Sequence, residues 1–457
     1  MAVESSRAFR TSFGSLGVTS RAGGWSRTST FLVTDDPTAA PCQAISRAAA
    51  DRIGKLQDAH LGESDAIRLD GTVGMGDPCR LGTTLIVERD HAHVAAVWER
   101  LAGPPAEPAA RIVCTPGLRV DGYPDGRVIA VDLDARVTRI CGTDFPGEAK
   151  RASLRAWAML AWQRGGLPLH AAVKMTAAGE PLVIAGRPQT GKTSIAFAPG
   201  ATTPCQEDRV AWMPDGTLVL AEQAFFAPAA HPGPRPLVER ALVDRDSVLL
   251  NVAQNGRAAG EFAPVGRVVF GAPELGAGRH PRALILLVRN QNVLPAVARL
   301  DARTAAAVYT ATHAAHRASE ATGGMRPTLG ASPLFPVAAA AEGRRLLELL
   351  DRRPTEVYVL NTWRVGGAVD RAGSRKINAC ESAALVDAIA AGRIDWAGQD
   401  DLGCTIAASV DGVDVPRDVL DPHAAYARQG RLDEYRELVA RQRSQWDAAL
   451  AAIEAQL

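Results

Sequence analysis

A loop that could hold the phosphates of a nucleotide lies between two apolar segments near the middle of the sequence. A glycine is followed by four residues and then by the run Gly191, Lys192 and Thr193, with the apolar segment PLVIAG in front and a possible helix behind. In such loops backbone N–H groups surround phosphate oxygens, the lysine reaches the terminal phosphates and the threonine hydroxyl binds Mg²⁺. Pro188 is unusual because it removes one of those N–H groups. The loop residues predicted to bind ATP and Mg²⁺ are Gly186, Gln189, Thr190, Gly191, Lys192, Thr193 and Ser194.

Two adjacent acids, Glu207 and Asp208, follow the loop in the segment QEDRVAW. Downstream of a phosphate-binding loop, one such acid can hold the metal or its water while the other accepts a proton from the attacking group. Taken alone, the pair fits an ordinary solvated turn equally well. His170 stands among apolar residues before the loop, and a single histidine in that setting is more often a core residue than a metal ligand.

The secondary-structure elements that position these residues are predicted from a sequence pattern that changes at two consecutive glycines, Gly165 and Gly166. Before them, short apolar runs such as RIVCTPGL and RVIAVDL alternate with turn residues, and a helical segment, KRASLRAWAMLAWQR, ends at the glycine pair. After them come PLHAAVKM, EPLVIAG, RALILLVRN and TEVYVLNTW, each of the buried-strand type. We therefore predict a mixed α/β domain over residues 1–166 and a nucleotide-binding domain over 167–457, closed by an amphipathic C-terminal helix that packs on it.

The composition excludes several classes of protein. The chain has 457 residues, 47% of them hydrophobic, and 51 basic against 50 acidic residues give a formal net charge of +1. A near-neutral chain without dense basic runs is not expected to bind nucleic acid. Because it lacks both an apolar run of about 18 residues and the pattern of a signal peptide, we expect a cytoplasmic protein that does not enter membranes. The scattered cysteines predict reduced thiols. No pattern decides the oligomeric state, and a monomer is compatible with the sequence.

Several segments, in the same order along the chain, resemble the ATP-dependent phosphoenolpyruvate carboxykinases. They are CGTDFPGEAKRASL, LHAAV, AGRPQTGKTS, QEDRVAW, LAEQAFFAP, NVLPAVARL, LNTWRVGG, GSRKINACESAALVDAI and DGVDVPRDVLDP. The matches run from about Arg27 to Tyr426, and their common order is more specific than any single match except the loop. The resemblance implies an α/β fold in which an N-terminal mixed α/β domain is packed on a P-loop nucleotide-binding domain, with the active site in the cleft.

The resemblance also implies roles for residues in and near the loop. Lys192 and Thr193 match the family's phosphate-binding lysine and Mg²⁺-binding threonine. His170 and Asp208 match two ligands of a second, manganese-type ion, and Lys150 falls in the lysine-bearing segment before them.

Other residues correspond to the substrate and nucleoside sites of the family. Arg27 loosely matches an arginine that holds the dicarboxylate substrate, and Phe145 replaces a substrate-site tyrosine. A further substrate arginine corresponds to Arg267 or, by counting, to Pro264. The residues that fall where the family contacts adenine and ribose are Arg375, Lys376 and Ser382.

One departure from the family pattern bears on the reaction. The third ligand of the second ion is a neutral lysine in the family, whereas this chain has Arg151, whose guanidinium stays protonated and has no lone pair to donate. Its charge could itself stabilise a transferring phosphoryl group. Phosphoryl transfer needs positioning and electrostatics, whereas decarboxylation also needs a group that stabilises the enolate.

We therefore predict an ATP- and Mg²⁺-dependent kinase of a small, carboxylate-bearing molecule. Glu207 is its expected general base, Asp208 its metal-holding acid, and Mn²⁺ should add little. The first alternative is a functional phosphoenolpyruvate carboxykinase that converts oxaloacetate. The second alternative is a non-catalytic protein that keeps ATP as a structural or regulatory ligand.

Overall fold

Strands and helices form where apolar runs alternate with glycine, proline and polar turns. The structure, a computed structural model, describes residues 8–63, 65–230, 233–252, 266–275, 279–290, 292–320 and 336–456. Both element types occur throughout these ranges, which confirms the mixed α/β class. No helix within them is long and apolar enough to cross a bilayer.

The strands are short, and most are apolar on at least one face. The first twelve are β1 (Ala8–Arg10), β2 (Leu16–Val18), β3 (Thr30–Thr34), β4 (Ala44–Ser46), β5 (Ala66–Val73), β6 (Leu81–Glu88), β7 (Ala110–Thr115), β8 (Val128–Asp132), β9 (Val137–Cys141), β10 (Leu167–Met175), β11 (Pro181–Gly186) and β12 (Thr203–Gln206). The others are β13 (Arg209–Trp212), β14 (Leu218–Leu220), β15 (Ala224–Pro228), β16 (Val248–Leu250), β17 (Arg267–Gly271), β18 (Ala283–Val288), β19 (Val297–Leu300), β20 (Glu356–Asn361), β21 (Arg364–Val365), β22 (Arg375–Lys376), β23 (Ile394–Gln399) and β24 (Thr405–Val410).

Eleven helices lie in the described residues, and some of them begin or end at residues with clear local signals. They are α1 (Arg47–Glu63), α2 (Ala92–Leu101), α3 (Pro146–Gln163), α4 (Lys192–Phe197), α5 (Pro236–Leu242), α6 (Ala302–Glu320), α7 (Ala339–Arg352), α8 (Ala379–Ala391), α9 (Arg417–Leu420), α10 (Pro422–Arg428) and α11 (Leu432–Glu454). Proline, which suits the first helical position, starts α3, and the predicted stop at Gly165 is confirmed. Asn378 and Glu381 form a capping box at the start of α8. The predicted C-terminal helix is confirmed as α11.

The chain divides into two compact units that do not follow a single cut at residue 166. The first comprises residues 1–168, 219–274 and 317–336, and the second comprises 169–218, 275–316 and 337–457. Residues 219–274 belong with the first unit because β16 pairs with β2, far away in the sequence, and β15 and β17 extend the same sheet. Such long-range strand pairing leaves no local mark in the sequence.

The first unit contains two sheets with helices packed on them. One sheet has the order β1-β2-β16-β17-β15 and the other the order β4-β3-β8-β9-β7-β6-β5. Helix α2 contacts β5 and β6 of the longer sheet as well as β15 and β17 of the shorter one, while α3 packs on α2 and on β7. The apolar core of this unit therefore continues from one sheet to the other through α2.

The second unit is organised around one large mixed sheet. Within this unit its path is β13-β10-β11-β18-β20-β19-β24-β23, and β12 also pairs with β10. Strands β11, β18 and β20 run parallel to one another, and they are almost entirely buried. This parallel core explains why the segments around residues 181, 283 and 356 read as continuous apolar runs.

Candidate active site

The predicted phosphate loop begins where β11 ends, at an edge that β11 shares with two parallel neighbours. Gly186 is the last residue of β11, Arg289 directly follows β18, and Thr362 directly follows β20. Because parallel strands place their carboxyl ends at the same edge, the three connections that leave these strands lie side by side. This edge is where α/β sheets commonly bind ligands.

The loop is held in a defined shape by its own residues and by Thr362. Gln189 and Gly191 have positive φ angles of 68° and 87°, a conformation that glycine adopts without cost. The Thr190 hydroxyl donates to the carbonyl of Arg187 at 2.7 Å. The Thr362 hydroxyl donates to the carbonyl of Thr190, also at 2.7 Å. The end of β20 thus fixes a loop that lies far away in the sequence.

Lys192 is the first residue of the short helix α4 and lies almost entirely inside the protein. The residue is 6% exposed, and its Nζ donates to the backbone carbonyl of Glu207 at 2.5 Å. Thr193 and Ser194, in the same turn, are partly exposed. The lysine predicted to reach phosphates is therefore adjacent to the predicted acid pair.

The acid pair lies in the turn between β12 and β13, and Gln206 shapes this turn. The Gln206 side-chain oxygen accepts the backbone N–H of Glu207 at 2.9 Å and that of Asp208 at 3.4 Å. Asp208 Oδ1 lies 3.4 Å from His170 Nε2 and 3.7 Å from Arg209 Nε. The structure thus brings together Lys192, both acids and the predicted histidine ligand.

His170 is held in its neutral form at this position. Burial lowers the pKa of His170 well below its ordinary value, and the charges of Lys192 and Arg209 act in the same direction, against Asp208. Its Nδ1 is buried without a hydrogen-bond partner. A neutral imidazole keeps a lone pair, which is the form that binds metal ions.

The spacing of His170 and Asp208 suits two ligands of one metal ion. Two donors about 2.1 Å from a common ion lie about 3.0–3.4 Å apart in octahedral or tetrahedral geometry, and the observed separation is 3.4 Å. Among the residues that the structure describes, no cluster of three or more histidine, cysteine, aspartate or glutamate side chains could hold a metal ion. The pair fits two ligands of an ion that completes its coordination with other groups or water.

The residues predicted near the nucleoside lie on β22 and at the start of α8. Lys376 Nζ is 5.7 Å from the centroid of the Trp363 ring. Arg375 forms an ion pair with Glu381. Ser382 is 1% exposed, and its hydroxyl donates to the carbonyl of Asn378 at 3.0 Å. Of these three residues, Lys376 thus lies over an aromatic ring near the loop. The adenine- and ribose-binding roles of all three remain predictions.

In the first unit, a predicted catalytic lysine and a predicted substrate arginine lie over one aromatic ring, whose apolar cluster also contains the predicted substrate-site phenylalanine. The Lys150 ammonium and the Arg267 guanidinium each lie 5.7 Å from the centroid of Phe226. Lys150 Nζ forms a buried ion pair with Glu222 at 2.9 Å. Phe145 is 2% exposed and belongs to the same apolar cluster as Phe226. The ring that replaces a substrate-site tyrosine thus packs in the core, as the loss of the hydroxyl permits.

The other two predicted residues of this unit are Arg27, next to a segment that two acids hold through its backbone, and Arg151 on α3, which contacts that segment at Trp25. Arg27 is exposed, and the Arg151 guanidinium lies against the ring of Trp25. Asp144 accepts the N–H groups of Arg21 and Ala22 at 2.9 and 2.8 Å, and Glu148 accepts that of Ser26 at 2.7 Å. Their substrate roles remain predictions. The alternative at Pro264 lies outside the described residues.

Sequence reasoning missed a set of residues that shape the edge of the sheet. Asn361 is fully buried, and its Nδ2 donates to the carbonyls of Leu294 and Arg364 at 2.9 and 3.0 Å. Arg289 stacks on Trp363, 3.9 Å from the ring centroid. The available signal was the abrupt change from apolar to polar residues at the ends of RALILLVRN and TEVYVLNTW.

Comparison with known proteins shows extended similarity to one family. A family model described as phosphoenolpyruvate carboxykinase matches residues 1–416. The phosphoenolpyruvate carboxykinase (ATP) of Rhizobium leguminosarum bv. trifolii is 26% identical over 365 residues, which cover 73% of this chain and 66% of that protein. The Rhizobium etli protein of the same name is 27% identical over 368 residues, covering 74% and 67%. Phosphoenolpyruvate carboxykinase (ATP) 1 of Moorella thermoacetica is 24% identical over 428 residues, covering 86% and 79%. The chain spans about two thirds of the length of the two rhizobial relatives.

Proposed function

Because the chain belongs to the ATP-dependent phosphoenolpyruvate carboxykinase family, we propose that it is an ATP- and Mg²⁺-dependent phosphotransferase acting on a small, carboxylate-bearing molecule. The observation that carries this proposal is the position of Lys192. Its buried ammonium lies at the phosphate loop and contacts the main chain of Glu207. A nucleotide on the loop would therefore present its terminal phosphate close to the acid pair.

Each residue of this group has a distinct task in the proposed reaction. Lys192 binds the terminal phosphates, since charge-assisted hydrogen bonds to phosphate are among the strongest in proteins. Thr193 and Asp208 hold the magnesium ion, which neutralises charge on the phosphates. Glu207 accepts the proton of the incoming hydroxyl, a contribution of roughly 10²- to 10⁴-fold.

Kinase chemistry is favoured over decarboxylation by the residues expected to complete a second metal site. His170 and Asp208 are suitably spaced for one ion, but Arg151 occupies the position of the third family ligand. A guanidinium has no lone pair for a metal. Enolate stabilisation by a fully ligated second ion is therefore weakened, whereas phosphoryl transfer keeps every group that it needs.

The second candidate is phosphoenolpyruvate carboxykinase activity itself. It is supported by the family match over residues 1–416 and by the neutral His170 beside Asp208. If an ion binds this pair with water in place of the third protein ligand, oxaloacetate would be decarboxylated and phosphorylated.

A screen for ADP formation tests the proposal. The protein is incubated with ATP and Mg²⁺ and with a panel of small hydroxy acids, other carboxylates and oxaloacetate. We expect ADP with a hydroxyl-bearing acceptor, and a Glu207→Gln variant should turn over at least about 100-fold more slowly while binding ATP normally. Glu356→Gln is the matched control, because Glu356 is an exposed acid at the opposite end of the parallel strands. ATP binding without ADP release from any acceptor would contradict the proposal and indicate a non-catalytic nucleotide-binding protein.

A further inference from the structure

Two arginines directly follow two neighbouring parallel strands and therefore lie at the same edge of the sheet. Arg187 is the first residue after β11, and Arg289 is the first residue after β18. These strands pair in parallel, with Gly186 opposite Leu287. Arg187 lies inside the phosphate loop and is partly buried, whereas Arg289 is exposed.

Neither guanidinium is neutralised by an acid in the part of the chain that the structure describes. Arg187 Nε is buried without a hydrogen-bond partner. Arg289 stacks on Trp363, and its Nη1 donates a long hydrogen bond of 3.5 Å to the carbonyl of Gln189. Burial, together with the charge of Arg289, lowers the pKa of Arg187 from its ordinary value. Because β11 and β18 pair side by side, the two positively charged side chains begin at neighbouring positions on one edge of the sheet and repel each other.

Such an arrangement is unfavourable for a protein without ligand. Like charges held together reduce stability, and a buried N–H donor without an acceptor adds to the cost. A bound anion reverses both effects, because it accepts the unused hydrogen bonds and neutralises the charges. The planar fork of N–H donors on a guanidinium matches a pair of oxygen atoms of a carboxylate or a phosphate.

We propose that Arg187 and Arg289 together bind an oxyanion group at the edge where β11 and β18 end. This rests on the proposed function, because it assigns part of the ligand of the same site. Two sources share the required chemistry, namely the terminal phosphate of ATP and the carboxylate of the acceptor. In the first case the pair stabilises the phosphoryl group that is transferred. In the second case it selects acidic acceptors.

Calorimetric titration of Arg187→Gln and Arg289→Gln variants tests the inference. One arm compares the affinities for ATP and ADP in the presence of Mg²⁺. The other arm titrates malonate, a simple dicarboxylate, into protein saturated with ADP and Mg²⁺. Arg299→Gln is the matched control, because Arg299 is also an exposed arginine that lies over a tryptophan, with its guanidinium 5.4 Å from the centroid of Trp396, but it does not adjoin the loop.

A loss of about 10-fold or more in either arm, in both variants and not in the control, would support the inference. Loss for ATP but not ADP identifies the terminal phosphate as the ligand, and loss for malonate alone identifies the acceptor carboxylate. Changes below about 2-fold in both arms would overturn it. If the arginine variants bind both ATP and malonate normally while a Lys192 variant loses ATP binding, the inference fails and the proposed function stands. If the unaltered protein binds no ATP, both fail.

The melting temperature of the ligand-free variants separates a binding role from a structural one. If the two charges repel each other without ligand, Arg187→Gln should melt at the same temperature as the unaltered protein or higher. A clear fall in melting temperature with unchanged ligand affinity would show that Arg187 is structural and would overturn the proposal.

Discussion

Replacing Lys192 with methionine is expected to weaken ATP binding strongly while the fold persists. The side chain is nearly buried, and its Nζ donates to the Glu207 carbonyl. A charge-assisted hydrogen bond contributes roughly 1.5–3 kcal/mol, which corresponds to a factor of about 10–150 in Kd. Because burial excludes water from the ammonium, we expect the upper half of that range.

The same change should affect the ligand-free protein only slightly. It removes the hydrogen bond to the Glu207 carbonyl, worth about 1 kcal/mol, but it also removes a buried charge whose desolvation is unfavourable. Methionine keeps the apolar part of the side chain, so no large cavity forms. The melting temperature without nucleotide should therefore change by only a few degrees.

Lys174→Met is the matched control for this measurement. Lys174 is fully buried on β10, and its Nζ donates to a backbone carbonyl, that of Ile195, at 3.3 Å. It thus resembles Lys192 in burial and bonding but is not part of the phosphate loop. Calorimetric titration with ATP and Mg²⁺ should show reduced affinity in the Lys192 variant only. Equal affinities in the Lys192 variant and the unaltered protein would refute the assignment of Lys192 to phosphate.

Three further predictions concern other parts of the chain. Burial raises the pKa of Asp400 to about 6, so its stabilising neutral form is lost as the pH rises through that value. Asp400→Asn should therefore raise the free energy of unfolding at pH 8, by at most about 3 kcal/mol, with no gain near pH 4 in urea titrations. Lys150→Met removes the counter-charge of buried Glu222 and should cost about 3–5 kcal/mol by the same method, with partial recovery in the double variant with Glu222→Gln. Arg151→Lys should increase activation by Mn²⁺ in the ADP assay. Strong Mn²⁺ activation of the unaltered protein would contradict the inference that Arg151 leaves the second metal site without its third ligand.

The phosphate loop could be predicted because its chemistry depends on residues that are adjacent in the sequence. Lys192 and Thr193 must follow a glycine-rich turn after a buried strand, and all of these features are local. The pair formed by His170 and Asp208 needed more, since the sequence pattern fitted a solvated turn and a functional role equally well for Asp208 and favoured a core role for His170. The family resemblance singled out the pair, and the structure brings its two members to 3.4 Å.

Other features of the site depend on contacts that sequence patterns do not encode. Thr362 fixes the loop across 172 positions of the sequence, and Arg289 and Arg187 lie at the same edge only because β18 pairs with β11. Similarly, the assignment of residues 219–274 to the first unit follows from the pairing of β16 with β2. Phe145 is a different case. The family resemblance pointed to this position, but the burial of its ring depends on the apolar cluster around it.

The central claim is that this chain transfers phosphate without decarboxylating oxaloacetate. The most direct measurement follows phosphorus signals by nuclear magnetic resonance while the protein is incubated with ATP, oxaloacetate, Mg²⁺ and Mn²⁺. We predict no phosphoenolpyruvate from this mixture, but ADP and a phosphorylated product once a suitable hydroxyl-bearing carboxylate replaces oxaloacetate. Phosphoenolpyruvate formed in step with ADP and CO₂ would contradict the claim and assign the carboxykinase reaction to this protein.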